Sequence, residues 1–281
     1  MIAYLNGVFK EESELSISLY ERGFLFADGA YEVARYYHHD YFQLETHLQR
    51  LKRSLTELRI QIPDLNVIRE AVYRLCRENE LSGKQHIAYI QVTRGSHAPR
   101  RHYFPPDTVK PTVYITHSEF ATPQKQIDQG AQVILTEDIR WARCDIKSIA
   151  LLPNVLARQE AIDRGATEAI FVRDGFIMEG THTNFCAVKN GTLITPPLTN
   201  FILGGITRAI VLDICRDVNI PWREEPIPGD DLSRLDEAMI VGTTTDVTPV
   251  IQVDEVVIGS GTPGPLTRKI QQAFFKLTAA S

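Results

Sequence analysis

Three dipeptides do most to limit what this chain can become: Asn6-Gly7, Asp174-Gly175 and Asn190-Gly191 each stand between strand-like runs. A two-residue hairpin turn that follows the right-handed twist of its strands needs positive φ at both central residues, which Asn, Asp and Gly accept at least cost. Strand runs are read at 86–93, 112–116, 132–136, 168–172, 184–188 and 237–241. Between them lie helical patterns. Leu44, Leu48, Leu51, Leu55 and Leu58 recur at steps of three and four, as do Val67, Ile68, Ala71, Val72 and Leu75. Further helices are expected at 155–164, between Pro153 and a terminating Gly165, and at 206–217 and 266–277. Hairpins outnumber strict strand–helix–strand alternation, so the fold class expected is α+β.

Length supports two domains in 281 residues. The polar stretch 117–126, which contains Pro123, is read as a linker between a small N-terminal α/β domain (1–116) and a larger C-terminal domain (127–281). Hydrophobic residues at 43% and charged residues at 23% are those of a globular chain with a sizeable core. A net charge of −5 argues against a nucleic-acid partner. No run of about 18 apolar residues is present to cross a membrane. Cys76, Cys144, Cys186 and Cys215 fit no metal-binding or redox spacing, so reduced thiols in a cytoplasm are expected and no metal. The N-terminus lacks the basic start and apolar stretch of a signal peptide.

Five features carry chemistry. Lys147 follows a strand run and precedes the apolar residues Ile149-Ala150-Leu151-Leu152. A lone lysine is ordinarily a solvated surface charge, but one desolvated by apolar neighbours loses proton affinity and becomes a nucleophile. Glu179, after the Asp174-Gly175 hairpin, is either a solvated strand end or a carboxylate that faces a ring nitrogen and keeps it protonated. GGITR (204–208) opens a helix, with Thr207 as N-cap or direct donor, and GTTTD (242–246) follows a strand. Both offer backbone amides and hydroxyls to an anion, although glycine-rich turns are common and neither has Walker spacing. His47 and Arg50 share one side of the Leu44–Leu58 stripe, where Arg50 either snorkels or grips a phosphate. Finally TRGSHAPRRHYF (93–104) is either a solvated basic loop or a carboxylate trap built on guanidinium geometry.

Taken together and in order, these segments resemble the fold-type IV pyridoxal-phosphate enzymes, the class IV aminotransferases. The resemblance spans essentially the whole chain. It is carried by RGFLFADGAYEV (22–33), the His47/Arg50 helix, DIRWARCDIKS (138–148), LPNVLARQEA (152–161), EAIFVRDGFIMEGTHTN (168–184), GGITR and GTTTDVTP. It implies a pyridoxal 5'-phosphate cofactor, with Lys147 as its Schiff-base lysine and the catalytic base, and Glu179 as partner of the pyridine nitrogen. Arg50, Ile206, Thr207 and Thr243 would form the phosphate cup, with Arg140 and Asn184 near the cofactor and His47 and Thr244 in support. It further implies a small α/β domain, a larger pseudo-barrel domain, and a homodimer with shared active sites between the domains.

Within the family the wording is similar to the D-alanine-type group. DGAYEV puts Tyr31 where that group has its tyrosine, RCDIKS matches, and Arg100-Arg101-His102 matches an Arg-x-His substrate-carboxylate trap supplied by the other subunit. Two departures stand out. The loop between Gly95 and Arg100 is one residue longer than the group's pattern, so Arg94, Arg100 and Arg101 compete for the trap; Arg100 is favoured because His102 then falls at the right step. His182 stands where the group has a small hydroxyl residue. The expected activity is transfer of the amino group of a D-amino acid, such as D-alanine, to a 2-oxo acid, with 2-oxoglutarate as the expected acceptor. The alternatives are an L-branched-chain aminotransferase, an aminodeoxychorismate lyase, or a non-enzymatic protein that keeps the fold.

Overall fold

The structure, a computed structural model, describes residues 1–279, and the chain falls into two compact units. One comprises Met1–Ala121 with Ile146–Ala150, the other Thr122–Asp145 with Leu151–Ala279. The break lies inside the segment expected to be a linker, but little of that segment is irregular. Residues 117–119 finish a strand and 124–126 open a helix, which leaves only 120–123 without regular structure. The return of Ile146–Ala150 to the first unit has no counterpart in the linear domain reading.

The first unit contains strands β1 (Ile2–Leu5), β2 (Val8–Glu11), β3 (Gly29–Tyr36), β4 (His86–Thr93) and β5 (Thr112–Glu119), and helices α1 (Arg22–Phe26), α2 (Leu44–Glu57) and α3 (Leu65–Glu78). Its antiparallel sheet has the order β2-β1-β5-β4-β3. The hairpin at Asn6-Gly7 forms as the dipeptide demands, with φ of 49° and 93°. Alternation then decides what is buried. Ala30 and Ala34 on β3, Ala88, Ile90 and Val92 on β4, and Val113 and Ile115 on β5 point to one face. Against it pack Leu44, Leu48, Leu51 and Leu55 of α2 and Ile68, Ala71, Val72 and Leu75 of α3. Each fully buried leucine contributes about 1.5–3 kcal/mol. The small alanines of β3 leave room on this face for Glu32, which is fully buried among them.

The second unit contains α4 (Gln124–Gln129), β6 (Ala131–Glu137), α5 (Leu152–Asp163), β7 (Glu168–Arg173), β8 (Phe176–Gly180), β9 (Asn184–Lys189), β10 (Thr192–Thr195), α6 (Ile206–Asp217), β11 (Trp222–Glu224), β12 (Ile227–Pro228), β13 (Glu237–Gly242), β14 (Asp246–Val253), β15 (Val256–Val257) and α7 (Pro265–Ala279). The strands run β11-β10-β9-β13-β14-β6-β7-β8-β12, and β8 also pairs with β9 through Glu179 and Asn184. That pairing closes β9, β13, β14, β6, β7 and β8 into a ring, the pseudo-barrel anticipated from the sequence. Asp174-Gly175 and Asn190-Gly191 adopt the positive φ their hairpins need. Gly165, at φ 71°, ends α5. No helix among the described residues is long and apolar enough to cross a membrane. All four cysteines are buried free thiols.

Candidate active site

In the first unit, Lys147 lies on a short extended segment that adds itself to the edge of β3. Tyr31 N–H donates to the Lys147 carbonyl (3.0 Å), Ile149 N–H donates to the Gly29 carbonyl (3.1 Å), and Ala30 pairs with Ser148. Lys147 N–H is met by the Ser54 hydroxyl of α2 at 3.2 Å. Backbone bonds on both sides thus fix the lysine beside Tyr31, and its Nζ sits 4.3 Å from the centre of the Tyr31 ring. Of the apolar run after Lys147, Ala150 and Leu152 are exposed and Ile149 and Leu151 half-buried; Lys147 itself is half-buried, with Tyr31 against its Nζ.

His47 and Arg50 do share a face of α2, and what they share it for is Glu32. Arg50 grips that carboxylate with Nε (2.7 Å) and Nη2 (2.8 Å), while His47 Nδ1 lies 2.7 Å away. Burial alone would raise the Glu32 carboxyl, but the Arg50 charge and the bonds from Arg50 and His47 outweigh it and hold it far below the usual carboxylate range. Burial pushes the His47 imidazole down, against the bond from Glu32. Arg50 is therefore aimed by a carboxylate that sequence reasoning did not single out.

The basic loop sorts its three arginines. Arg94 is buried and committed: Nε and Nη2 bond Asp28 (2.8 and 3.0 Å), and Nη1 and Nη2 bond the carbonyls of Arg59 and Leu58 (2.7 Å each). That removes it from the trap. Arg100 and His102 are exposed and flank Phe26, the guanidinium 4.4 Å and the imidazole 5.4 Å from its ring. Arg101 is exposed as well, but its carbonyl is fastened by Arg22 Nη1 (2.8 Å). Tyr31 instead contacts Lys147 and, at 5.7 Å, Tyr89. Arg100 and His102 thus form a group apart from Tyr31 within one chain.

In the second unit, Glu179 and Asn184 face each other at the seam that closes the barrel. Glu179 Oε1 accepts from Arg140 Nη1 (2.5 Å), and Oε2 accepts from Asn184 Nδ2 (3.2 Å) and Leu203 N–H (3.1 Å). Arg140 in turn is held bidentately by Asp138 (2.8 and 3.0 Å) and by the Phe201 carbonyl (3.1 Å). Arg140 thus ties Glu179 to Asp138. Helix α6 starts at Ile206 with Gly205 as its N-cap, so Thr207 is not the cap; it lies buried in the first turn. No side chain caps the helix, which leaves its first amides available to an anion. A Cβ on Gly205 would stand 1.8 Å from Asn184 Oδ1, so only glycine allows this approach. Thr243 and Thr244 are half-buried in the turn between β13 and β14. Thr245, the last hydroxyl of the GTTTD segment, is buried with that hydroxyl unpaired. Among the described residues no group of three or more His, Cys, Asp or Glu could hold a metal.

The amino-transferase class IV profile matches residues 29–253 of this sequence. The chain belongs to the class IV aminotransferases. D-alanine aminotransferase of Staphylococcus epidermidis is 39% identical over 97% of this chain and 96% of its own, and that of Bacillus licheniformis 38% identical over 97% and 95%. Among solved structures, a branched-chain amino acid aminotransferase of Escherichia coli superposes with a TM-score of 0.91 at 25% identity, covering 99% of this chain and 94% of that one. In this class IV aminotransferase the sequence reading does not single out Glu32 or Asp138, the carboxylates that hold Arg50 and Arg140. Glu32 could have been found from its parity with Ala30 and Ala34, which puts a charge on a buried strand face.

Proposed function

We propose that this aminotransferase moves the amino group of a D-amino acid such as D-alanine to a 2-oxo acid, with 2-oxoglutarate as the expected acceptor and pyridoxal 5'-phosphate as cofactor. The observation that carries the substrate class is the likeness to D-alanine aminotransferases along 97% of the chain. The residues fit the cofactor. An uncapped helix start and the unpaired Thr245 hydroxyl suit a phosphate, and Glu179 with its countercharge suits a ring nitrogen. When bound, the cofactor supplies a ring that draws electrons from the substrate Cα.

Lys147 is the residue that holds the cofactor, and its Nζ takes the proton from the substrate Cα and later returns one. Glu179 keeps a proton at the ring nitrogen, and Arg140 keeps Glu179 in place. Arg50, Ile206, Thr207 and Thr243 hold the phosphate, with Thr244 in support; His47 steadies Glu32 behind Arg50. Tyr31, Arg100 and His102 bind the substrate carboxylate, the last two supplied by a second copy in a homodimer. Support for a covered surface comes from the large apolar side chains exposed on and beside the basic loop: Ile17, Leu19, Phe24, Tyr103 and Phe104. The segments that carry them are tied together by the Glu21–Ser96 pairing and by Arg22 on the carbonyls of Arg101 and Tyr103. Four free thiols suit a cytoplasmic location.

An absorption spectrum of the purified holoenzyme tests the reading. The visible band bleaches on addition of D-alanine and persists with L-leucine. Bleaching by L-leucine alone keeps the cofactor and refutes the D-amino-acid assignment.

A further inference from the structure

Residues 180–183 form the tight turn between β8 and β9, closed by Gly180 N–H donating to the Thr183 carbonyl at 2.7 Å. Glu168 at the start of β7 fastens this turn from within, its side chain 1% exposed. Oε1 accepts from the Thr181 hydroxyl (2.6 Å) and Ala169 N–H (3.0 Å), and Oε2 from the Thr183 hydroxyl (3.2 Å) and His182 Nδ1 (3.0 Å). Burial would raise the Glu168 carboxyl, but the bonds from His182, Thr181 and Ala169 win and lower it. The carboxylate only accepts, so His182 Nδ1 carries the hydrogen and the ring is locked in orientation. This leaves Nε2 as the outward atom of a side chain that is 40% exposed, with no partner among the described residues. The two threonines and Ala169 already satisfy Glu168, so the turn does not need an imidazole to close.

Two features put residue 182 beside the candidate cofactor residues. The turn joins Glu179 to Asn184, so His182 is three residues from one and two from the other. Its backbone also packs on the turn between β13 and β14. A Cβ built on Gly242 would meet Thr245 Oγ1 at 3.0 Å, the His182 carbonyl at 3.4 Å and Thr183 Cγ2 at 3.6 Å. The unpaired Thr245 hydroxyl lies at that same junction.

We propose that His182, in the form protonated at both nitrogens and paired with the Glu168 carboxylate, donates Nε2–H to an anionic oxygen of pyridoxal 5'-phosphate, with Glu168 as the positioning residue that fixes the ring. This inference rests on the cofactor assignment above. The oxygen belongs either to the phosphate or to the 3-hydroxyl of the ring, and hydrogen-bond chemistry at Nε2 serves both.

The test is the dissociation constant of the apoprotein for pyridoxal 5'-phosphate and, separately, for pyridoxal. His182→Asn keeps a donor toward Glu168 and removes the outward nitrogen; it raises the constant for pyridoxal 5'-phosphate about tenfold, the effect of one charge-assisted bond. His182→Gln, whose amide reaches the position of Nε2, stays within about threefold. Loss confined to pyridoxal 5'-phosphate identifies the phosphate, and equal loss with pyridoxal identifies the ring oxygen. Glu168→Gln weakens binding by itself but adds nothing on top of His182→Asn, because the two act as one unit. A constant for His182→Asn within twofold of wild type overturns the proposal, and additive losses overturn the role of Glu168. Wild-type apoprotein that fails to bind pyridoxal 5'-phosphate at all refutes the cofactor assignment itself.

Discussion

Replacing Tyr41 by phenylalanine tests the least ordinary part of the first unit's core. The Tyr41 hydroxyl lies 2.8 Å from His86 Nε2 and 2.9 Å from His117 Nε2, all three side chains buried. Proton positions follow by elimination. His86 Nδ1 is 2.8 Å from the Lys84 carbonyl, which only accepts, so Nδ1 carries the hydrogen. Neutral His86 then has a bare Nε2 that accepts the Tyr41 O–H, and the Tyr41 oxygen accepts from His117 Nε2–H. The chain ends at a bare His117 Nδ1, buried without a partner. Tyr41→Phe strands one acceptor and one donor, at about 1–3 kcal/mol each. The expected loss is therefore roughly 2–6 kcal/mol, read as a lower urea midpoint at unchanged slope.

The same network predicts a pH dependence. Burial, reinforced by the neighbouring His86, lowers His117 from 6.5 to about 3, and burial lowers His86 as well. Unfolded histidine takes up its proton near pH 6.5 while the folded form refuses it, so the stabilisation is complete above 6.5 and is lost as pH falls toward 3. At pH 5 His117 alone costs about 2 kcal/mol relative to pH 7.5. His117→Phe abolishes that share of the pH-dependent loss whatever it does to absolute stability. The reasoning fails if Tyr41→Phe costs under about 1 kcal/mol, or if His117→Phe leaves the difference between pH 7.5 and 5 unchanged.

Three further outcomes follow from the site. Lys147→Ala keeps the circular-dichroism spectrum of the wild type and loses D-alanine turnover by at least roughly 10²–10⁴-fold, the range of a positioned acid–base group; turnover at the wild-type rate removes Lys147 from its role. Arg100→Ala raises the KM for D-alanine about tenfold or more while Arg101→Ala stays within about twofold, and the opposite ranking in steady-state assays moves the trap by one residue. Arg94→Ala acts on the fold instead, because it takes the bidentate partner from the half-buried Asp28, which keeps only Arg22 Nε, and frees the carbonyls of Leu58 and Arg59; a melting temperature equal to that of the wild type would contradict the committed role seen for Arg94.

Local periodicity was the legible part of this chain. The stripe of leucines in α2, the strand β4 and the three Asn-Gly or Asp-Gly hairpins all express interactions between residues a few positions apart. Strand β14 is not legible, because most of its residues are buried on both faces and Asp246, Thr248 and Pro249 hide the strand pattern. Thr207 was read as a possible cap because hydroxyl residues favour that position, yet Gly205 takes it, where the close approach of Asn184 excludes a side chain. The loop arginines could not be ranked from spacing alone. Arg94 is withdrawn by Asp28, 66 positions away, and that separation is invisible to any short pattern.

The seam of the barrel explains why the candidate cofactor residues of the second unit sit where they do. Strands β8 and β9 are consecutive and joined by a tight turn, yet their pairing is confined to Glu179 and Asn184. A full ladder there would commit the two strands to one another; a single pairing closes the ring and still lets both side chains serve other partners. Asn184 does so by donating to Glu179 and to the Leu203 carbonyl, which draws the residues before α6 against the seam. Gly205 then brings the start of α6 against Asn184, and Gly180 leaves space for Thr183 and Glu168, where a Cβ would stand 2.1 and 3.1 Å from their side chains. Glu179, the uncapped helix and His182 therefore depend on one short turn that two glycines keep open. Gly205→Ala tests this dependence: the displaced Asn184 weakens pyridoxal 5'-phosphate binding although neither residue 205 nor its methyl group supplies a ligand. Undiminished binding in that variant would show that the seam does not set the geometry of the site.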